Sequence, residues 1–308
     1  MATVINTRDV NAAAEGAEEQ HTEARDSGAR SPARAAGSAA RLPMSRARAQ
    51  QISGWVLTVV LPMVTFGIVL ALWSFLGSQV ASALPGPLAT WEEAKYLFAE
   101  PFHQHGPNDM GIGWQVTYSL GRVLAGFGLA MLVAIPMGFL MGMSRNCHRA
   151  WQPLVQILRP VSPLAWLPIG LLVFESSNPS AIFVIFITCM WPTMINTAAG
   201  VRAIPEDYMN VARVLRLNGW EIMRRILLPA TLPHIITGMR LSLGIAWMVI
   251  VAAEMLTGGV GIGYFIWAEW NNLLVESIIV SIIVIGIVGI LMESGMNLLQ
   301  RVLDYRQA

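Results

Sequence analysis

Few residues in this 308-residue chain could do chemistry, and they do not converge on a catalytic centre. The stretch GGVGIG, residues 258–263, superficially suggests a nucleotide-binding loop, but no Lys-Ser or Lys-Thr pair follows it. Backbone flexibility, with glycines at positive φ in a turn, is the interpretation that we favour. His103 and His105 alone are weak grounds for a metal site. The sequence therefore predicts no catalytic residue, no metal and no enzyme.

Charged residues inside the apolar segments need a physical reason, because a charge at the centre of a membrane span costs roughly 2.5–3.5 kcal/mol. Arg159 and Arg240 lie near arginine-rich ends of their segments and are expected to extend to the lipid headgroups. Arg122 and Glu254 lie near the opposite ends at similar depth, which allows an ion pair. Such a pair either closes and shapes part of a pathway or acts as a structural tether.

The amino-acid composition indicates that membrane-spanning helices position these residues. The chain is 55% hydrophobic and 13% charged, which indicates a membrane protein. A helix of about 20 apolar residues crosses a bilayer core of roughly 30 Å. Three prolines, Pro160, Pro163 and Pro168, interrupt the third of six candidate spans, which we predict to be kinked. The candidate spans are residues 55–76, 117–141, 155–174, 181–199, 235–257 and 275–298.

The arginines fix the predicted orientation because they occupy alternate loops. The other loops contain a single basic residue, Lys95, among several acidic ones. The positive-inside rule then places both termini in the cytoplasm. The arginines in question are Arg41, Arg46 and Arg48 before the first span, Arg145 and Arg149 after the second, Arg202, Arg213, Arg216, Arg224 and Arg225 after the fourth, and Arg301 and Arg306 after the last.

Outside the spans, two segments allow a prediction. Residues 1–50 lack apolar periodicity and are predicted to be a disordered cytoplasmic tail, which precedes a transmembrane domain over residues 51–308. The first apolar run is too long for a cleavable signal peptide. Thr90 followed by Glu93 is a capping-box pattern, which predicts a short helix on the outer membrane surface. The two cysteines, Cys147 and Cys189, predict no disulfide framework.

Residues 201–233, between the fourth and fifth spans, form a basic amphipathic segment. Two apolar stripes at helical spacing, separated by Asn218 and Gly219, predict a helix, a tight turn and a second helix that stops at Pro229. A loop that only sets topology, a DNA-binding helix-turn-helix and a docking element for a cytoplasmic partner all fit this pattern. Tethering to the bilayer at both ends disfavours DNA binding. The stripes are Tyr208, Val211, Ala212 and Leu215, then Trp220, Met223, Ile226 and Leu227.

This segment resembles the coupling loop of permease subunits of bacterial ATP-binding-cassette importers. The family pattern is Glu-Ala-Ala, three residues, Gly, nine residues, Ile, any residue, Leu-Pro. Asn210 and Arg216 replace its acidic residue and its glycine. Aligned without gaps, the pattern falls on Asn210, Val211, Ala212, Arg216, Ile226, Leu228 and Pro229. The stretches LGRVLAGFGLA, PVSPLAWLPIGLLVF and AAEMLTGGVGIGYFIW further resemble the nitrate, bicarbonate and sulfonate group, and nitrate permeases within it.

The resemblance implies an all-α, MetI-like type I importer permease with six transmembrane helices and a cytoplasmic helix-turn-helix coupling loop. Residues Tyr208, Leu215 and Gly219, together with the motif residues, would dock an ATPase. The implied assembly is a permease homodimer in a bacterial inner membrane with two ATP-binding subunits and an extracytoplasmic binding protein, without nucleic acid. ATP would be bound by those subunits, so the permease itself needs no cofactor.

The implied cargo is nitrate or nitrite, with bicarbonate, cyanate and taurine or another alkanesulfonate as alternatives. In this class of importer, the main selectivity is expected in the external binding protein. An oxyanion needs only a path that offers hydrogen-bond donors. The candidate donors are Ser162, Trp166, Thr193 and Asn196, each of which packing alone would also explain.

Overall fold

The computed structural model of the chain describes residues 44–79, 84–106 and 110–305. The chain divides into two units, residues 1–69 and 70–308. Helix α1, Met44–Gln79, supplies the described part of the first unit and continues into the second. It includes the last residues of the predicted tail, whose residues 1–43 lie outside the described residues. The part Val60–Ser78 is apolar and long enough to cross a membrane, in agreement with the first predicted span.

All regular elements among the described residues of the second unit are helices, and Gln104 and Met110 form an isolated β-bridge. A 3-10 turn at Pro163–Trp166 precedes α5, and a π-helical turn at Met223–Leu227 joins α8 to α9. The helices are α2 Pro87–Ala99, α3 Ile112–Met143, α4 Arg145–Leu158, α5 Leu167–Phe174, α6 Ser177–Arg202, α7 Glu206–Val214, α8 Gly219–Ile222, α9 Leu228–Thr257, α10 Ile262–Asn271 and α11 Val275–Tyr305.

The third predicted span is not a single kinked helix. α4 and the segment Pro163–Phe174 are separate helices bent by 96°. The prolines at positions 160 and 163 remove backbone donors at the corner, and α4 keeps polar side chains such as Arg149 and Gln152 exposed. Among the described residues, five helical stretches can cross a membrane, and this bent pair supplies a sixth if it counts as one span.

The direction of the flanking helices shows that residues 144–176 return across the fold. A Cβ on Gly126 would meet Ile185, and one on Gly138 would meet Thr197, so α3 and α6 run parallel. Two parallel consecutive helices require a connection that runs back from one end to the other. We call the end with residues 203–218 the basic end and the end with residues 258–263 the glycine end.

Close packing of α6 against α3 and α9 forms the centre of the second unit. A Cβ on Gly138 would lie 2.5 Å from Thr197 Cβ, so only glycine allows this approach. Between α6 and α9, Thr193 Oγ1 lies 2.8 Å from Ser242 Oγ, and the Ser242 hydroxyl also donates to the Cys189 carbonyl at 2.7 Å. Small residues and hydroxyl pairs therefore hold this antiparallel contact.

The helix predicted near Thr90 is present as α2, but its predicted cap is wrong. Pro87 is its first residue, and the Thr90 hydroxyl donates back to the Gly86 carbonyl at 3.2 Å. Glu93 accepts a hydrogen bond at 2.8 Å from the hydroxyl of Ser277 on α11 instead of capping α2. The proline, which needs no backbone donor partner at this position, determines where the helix begins.

Candidate functional site

The loop at the basic end is built around the C-terminus of α7. The Leu217 N–H donates to the Ala212 carbonyl at 3.0 Å, and the Arg216 N–H donates to the Arg213 carbonyl at 3.1 Å. This is the Schellman arrangement, whose residue after the helix is left-handed and usually glycine. Arg216 has a φ of 50°. The position where the coupling-loop pattern has glycine therefore has the backbone conformation that favours glycine, although arginine occupies it.

The second helix of the loop begins at Gly219 but does not stop at Pro229 as predicted. The Asn218 N–H donates to Glu221 Oε2 at 2.9 Å, which satisfies a backbone donor at the helix start. The π turn follows, and one helical stretch then runs over Gly219–Thr257. Pro229 is tolerated because it lies in the first turn of α9, after a turn whose hydrogen bonds already follow a different register.

Burial divides the loop into an anchoring side and a free side. Ala212 is only 1% exposed, and Leu227 packs in a cluster with Phe139, Val201 and Ile235 at the ends of α3, α6 and α9. The opposite side carries large exposed apolar side chains, which we call the loop face. The loop face consists of Tyr208, Val211, Val214, Leu215 and Trp220.

The predicted loop residues are thus brought together, but with different placements. Asn210 accepts a hydrogen bond from Arg213 Nη1 at 2.9 Å on the surface of α7, and Ile226 is half-buried. Leu228 is partly exposed at the start of α9. Val214, 82% exposed, was missed by the sequence analysis, although its helical spacing from Val211 would have indicated it.

At the glycine end, the structure brings Arg122 and Glu254 into contact. Arg122 Nη1 donates to Glu254 Oε1 at 2.5 Å, and Arg122 Nε donates to Asn178 Oδ1 at 2.6 Å. Glu254 Oε2 accepts from the Ser119 hydroxyl at 2.8 Å and from the Gly263 N–H at 3.1 Å. The Glu254 carboxylate is buried, and its partners join α3, α6, α9 and α10. Ser119 and Asn178 were not predicted as members of this network.

The glycine-rich stretch wraps around that carboxylate. Gly258 and Gly259 have φ of 73° and 91°, which confirms the predicted positive φ. A Cβ on Gly261 would lie within 2.5 Å of both Glu254 carboxylate oxygens. The Gly261 N–H donates to Gln115 Oε1 at 2.6 Å. Gly258 and Gly259 therefore serve the turn, and Gly261 serves close packing around a buried charge.

The four predicted pathway donors fall into two groups. Ser162 and Trp166 line a cavity of about 420 Å³ at the corner between α4 and α5. Thr193 is fully buried against Ser242, so its hydroxyl serves the contact between helices. Asn196 Nδ2 donates to the Pro192 carbonyl at 2.8 Å within α6. The structure therefore places Ser162 and Trp166 at a cavity.

The two arginines expected to reach headgroups also differ. Arg240 Nη1 donates to Asn297 Oδ1 on α11 at 2.7 Å, so Arg240 has a partner within the protein. Arg159 is exposed at the C-terminal end of α4, beside the cavity that Ser162 lines.

Known transport proteins are similar to this chain in sequence and in fold. The family model described as "Binding-protein-dependent transport system inner membrane component" matches residues 134–308. The chain is 46% identical over 235 residues to the nitrate import permease protein NrtB of Synechocystis sp., covering 76% of this chain and 86% of that protein. It is 45% identical over 246 residues to the bicarbonate transport system permease protein CmpB of Synechococcus elongatus, covering 79% and 88%. A solved structure of the MetNI methionine ABC transporter in inward-facing conformations matches in fold, with a TM-score of 0.54, 16% identity and coverage of 62% of this chain and 95% of that chain.

Proposed function

This chain belongs to the family of binding-protein-dependent transport system inner membrane components, and on that premise we propose that it is the permease of an importer for a small oxyanion, nitrate first. The family is one of multi-pass transport subunits, in which ATP hydrolysis belongs to partner subunits. The similarity to a nitrate import permease over 86% of that protein's length carries the choice of nitrate.

Bicarbonate is the second candidate, because the bicarbonate transport permease is 45% identical over a similar share of the chain. Both cargoes are small singly charged oxyanions, which need donors along a path and no metal. Because the same hydrogen-bond donors would suit both ions, we assign the selectivity between them to an external binding protein.

The loop face is assigned to an ATP-hydrolysing subunit. Its exposed apolar side chains, bordered by Arg213, Arg216 and Arg224, have the apolar centre and polar rim of a protein interface. Met209 of α7 and Leu227 pack in the cluster at the ends of α3, α6 and α9, so a push on the loop face would move these helices. The proposed assembly contains two copies of this chain, two ATPase subunits and a binding protein, with the basic end in the cytoplasm.

Uptake by reconstituted vesicles tests the cargo. The vesicles contain this chain with its ATPase and binding protein, and nitrate, bicarbonate, cyanate and taurine are compared side by side. We expect saturable, ATP-dependent nitrate uptake, with bicarbonate as the closest competitor. Absence of ATP-dependent uptake for all four compounds would overturn the proposed function.

Co-purification of the ATPase with variants of this chain tests whether the loop face is the docking surface. Leu215→Asp and Trp220→Asp place a charge in the exposed apolar surface, and each should reduce co-purification of the ATPase at least tenfold. Tyr96→Asp is the matched control, since Tyr96 is equally exposed on α2 at the glycine end. Unchanged association in both loop variants would rule out this docking surface.

A further inference from the structure

An arginine that has no partner among the described residues, Arg159, lies between two cavities at the corner of α4 and α5. The Arg159 guanidinium forms no hydrogen bond or ion pair with any residue that the structure describes. One cavity, of about 600 Å³, reaches from Arg159 to Arg202 at the basic end. The other, of about 420 Å³, reaches from Arg159 past Ser162 to Trp166. Arg159 and Pro160 line both cavities, and both volumes suit a small ligand.

The described residues that line the two cavities include hydrogen-bond donors and no carboxylate. The hydroxyl of Ser162 and the indole N–H groups of Trp166 and Trp191 bind no other described residue. On the other side of Arg159, the cavity is bordered by the carboxamides of Gln152 and Gln156. Donors that no described residue accepts from, in a lining without carboxylates, favour a ligand that brings oxygen acceptors.

The contact with His148 does not neutralise the second arginine of the cavity, Arg202. Arg202 Nη1 lies 2.6 Å from His148 Nε2. A guanidinium can only donate, so the imidazole accepts at Nε2 and the pair keeps the charge of Arg202. Two cationic groups therefore border one cavity.

We propose that Arg159, with Ser162 beside it, forms a binding site for a singly charged oxyanion group, and that Arg202 supports it electrostatically. This inference rests on the proposed function in taking the cargo as the first occupant. Arg159 would then be a residue that the anion contacts on its way to the basic end. The phosphate of an anionic lipid headgroup offers the same chemistry and is the other source of such a ligand.

Three variants test the site by nitrate uptake in vesicles of phosphatidylcholine alone and of phosphatidylcholine with phosphatidylglycerol. Arg159→Gln should raise the KM for nitrate about tenfold, because a charge-assisted hydrogen bond is lost, and Arg159→Lys should restore part of it. Arg149→Gln, on the exposed face of the same helix and outside both cavities, should leave uptake unchanged. A raised KM in both lipid mixtures supports the cargo as the occupant.

Direct binding separates this inference from the proposed function. Nitrate bound to the solubilised chain is measured by equilibrium dialysis, and phosphatidylglycerol retained on the chain is measured by mass spectrometry. Loss of retained lipid in Arg159→Gln, with nitrate binding unchanged, supports the site with the headgroup as its occupant. Wild-type protein that imports nitrate while Arg159→Gln matches it in KM, nitrate binding and lipid retention overturns the site alone. A wild type without uptake overturns the proposed function, and the two binding measurements then still decide the site.

Discussion

Arg216 ends α7 in a left-handed conformation, which costs an L-amino acid roughly 1–2 kcal/mol relative to glycine. Arg216→Gly should therefore raise the free energy of unfolding of the loop by about 1 kcal/mol. Arg213→Gly, inside α7, should lower it by a similar amount, because glycine is unfavourable in a helix. Hydrogen exchange of residues 206–217 measures both effects. Equal signs for the two variants would contradict the assignment of strain to Arg216.

Glu269 on α10 makes the glycine end sensitive to pH. Burial raises the pKa of its carboxyl, and the nearby Glu93 carboxylate raises it further. A carboxyl with a raised folded-state pKa favours folding when protonated, so stability is highest below its unfolded pKa of about 4.3. Stability should then fall as the pH rises through the folded pKa.

Thermal unfolding of the purified chain, followed from about pH 4 to about pH 8, measures this dependence. Glu269→Gln should flatten it, because no carboxyl remains to ionise at that position. Glu175→Gln is the control, since Glu175 is an exposed carboxyl at the end of α5. An unchanged pH profile in Glu269→Gln would contradict the role of this carboxyl.

At the scale of elements, the contact of α3 with α6 depends on glycine. Gly138→Ala brings a Cβ within 2.5 Å of Thr197 Cβ and should lower the free energy of unfolding by roughly 1–3 kcal/mol. Gly128→Ala, on the same helix with open space around it, should be neutral or stabilising by up to about 1 kcal/mol. Thermal unfolding of the two purified variants measures the difference. Equal midpoints would show that α3 can move away from α6 at no cost.

The hydrogen-bond network of Arg122 and Glu254 at the glycine end is the second contact that joins several helices. Glu254→Gln leaves Arg122 without its carboxylate and should cost roughly 3–5 kcal/mol, whereas the double variant with Arg122→Gln should recover part of this loss. Our hypothesis is that the pair closes the glycine end, so the recovered double variant should show altered nitrate uptake. Unchanged uptake in a normally assembled double variant would leave the pair as a tether only.

The sequence predicted the helices whose positions are determined by hydrophobic periodicity and composition. Apolar length identified the long spans, and the helical stripes identified both helices of the loop. The corner between α4 and α5 could not be predicted, since residues 155–174 read as one apolar run and only packing against α6 decides how far prolines bend it. The pattern predicted the turn at Asn218 and Gly219, whereas the turn occupies residues 215–218. The prediction was displaced because the left-handed residue is Arg216, a residue type that rarely adopts this conformation.

Most hydrogen-bond partners that lie far apart in the chain could not be predicted from the sequence. Similar depth suggested the pair of Arg122 and Glu254, which are 132 residues apart. Depth says nothing about which polar neighbours share a helix face, so Ser119 and Asn178 were not predicted. The same limit explains Thr193, whose hydroxyl is taken up by Ser242 across a helix contact.

At the scale of the whole molecule, the parallel course of α3 and α6 requires the connection between them to return across the fold, and with that connection counted as one span the described residues allow six crossings. Under the positive-inside rule, the arginines predict that the basic end lies in the cytoplasm. The loop face and α2 should therefore be accessible from opposite sides of the membrane.

Labelling of single cysteines tests this arrangement in a background without Cys147 and Cys189. Val214→Cys and Tyr96→Cys introduce thiols at two highly exposed positions, one on the loop face and one on α2. In cells with a permeable outer membrane, a thiol reagent that cannot cross the inner membrane should label Tyr96→Cys and leave Val214→Cys unlabelled until the inner membrane is opened. The reverse result would invert the orientation, and labelling of both thiols would contradict the third crossing. Because the loop face can meet an ATPase only in the cytoplasm, the docking proposal requires the expected pattern.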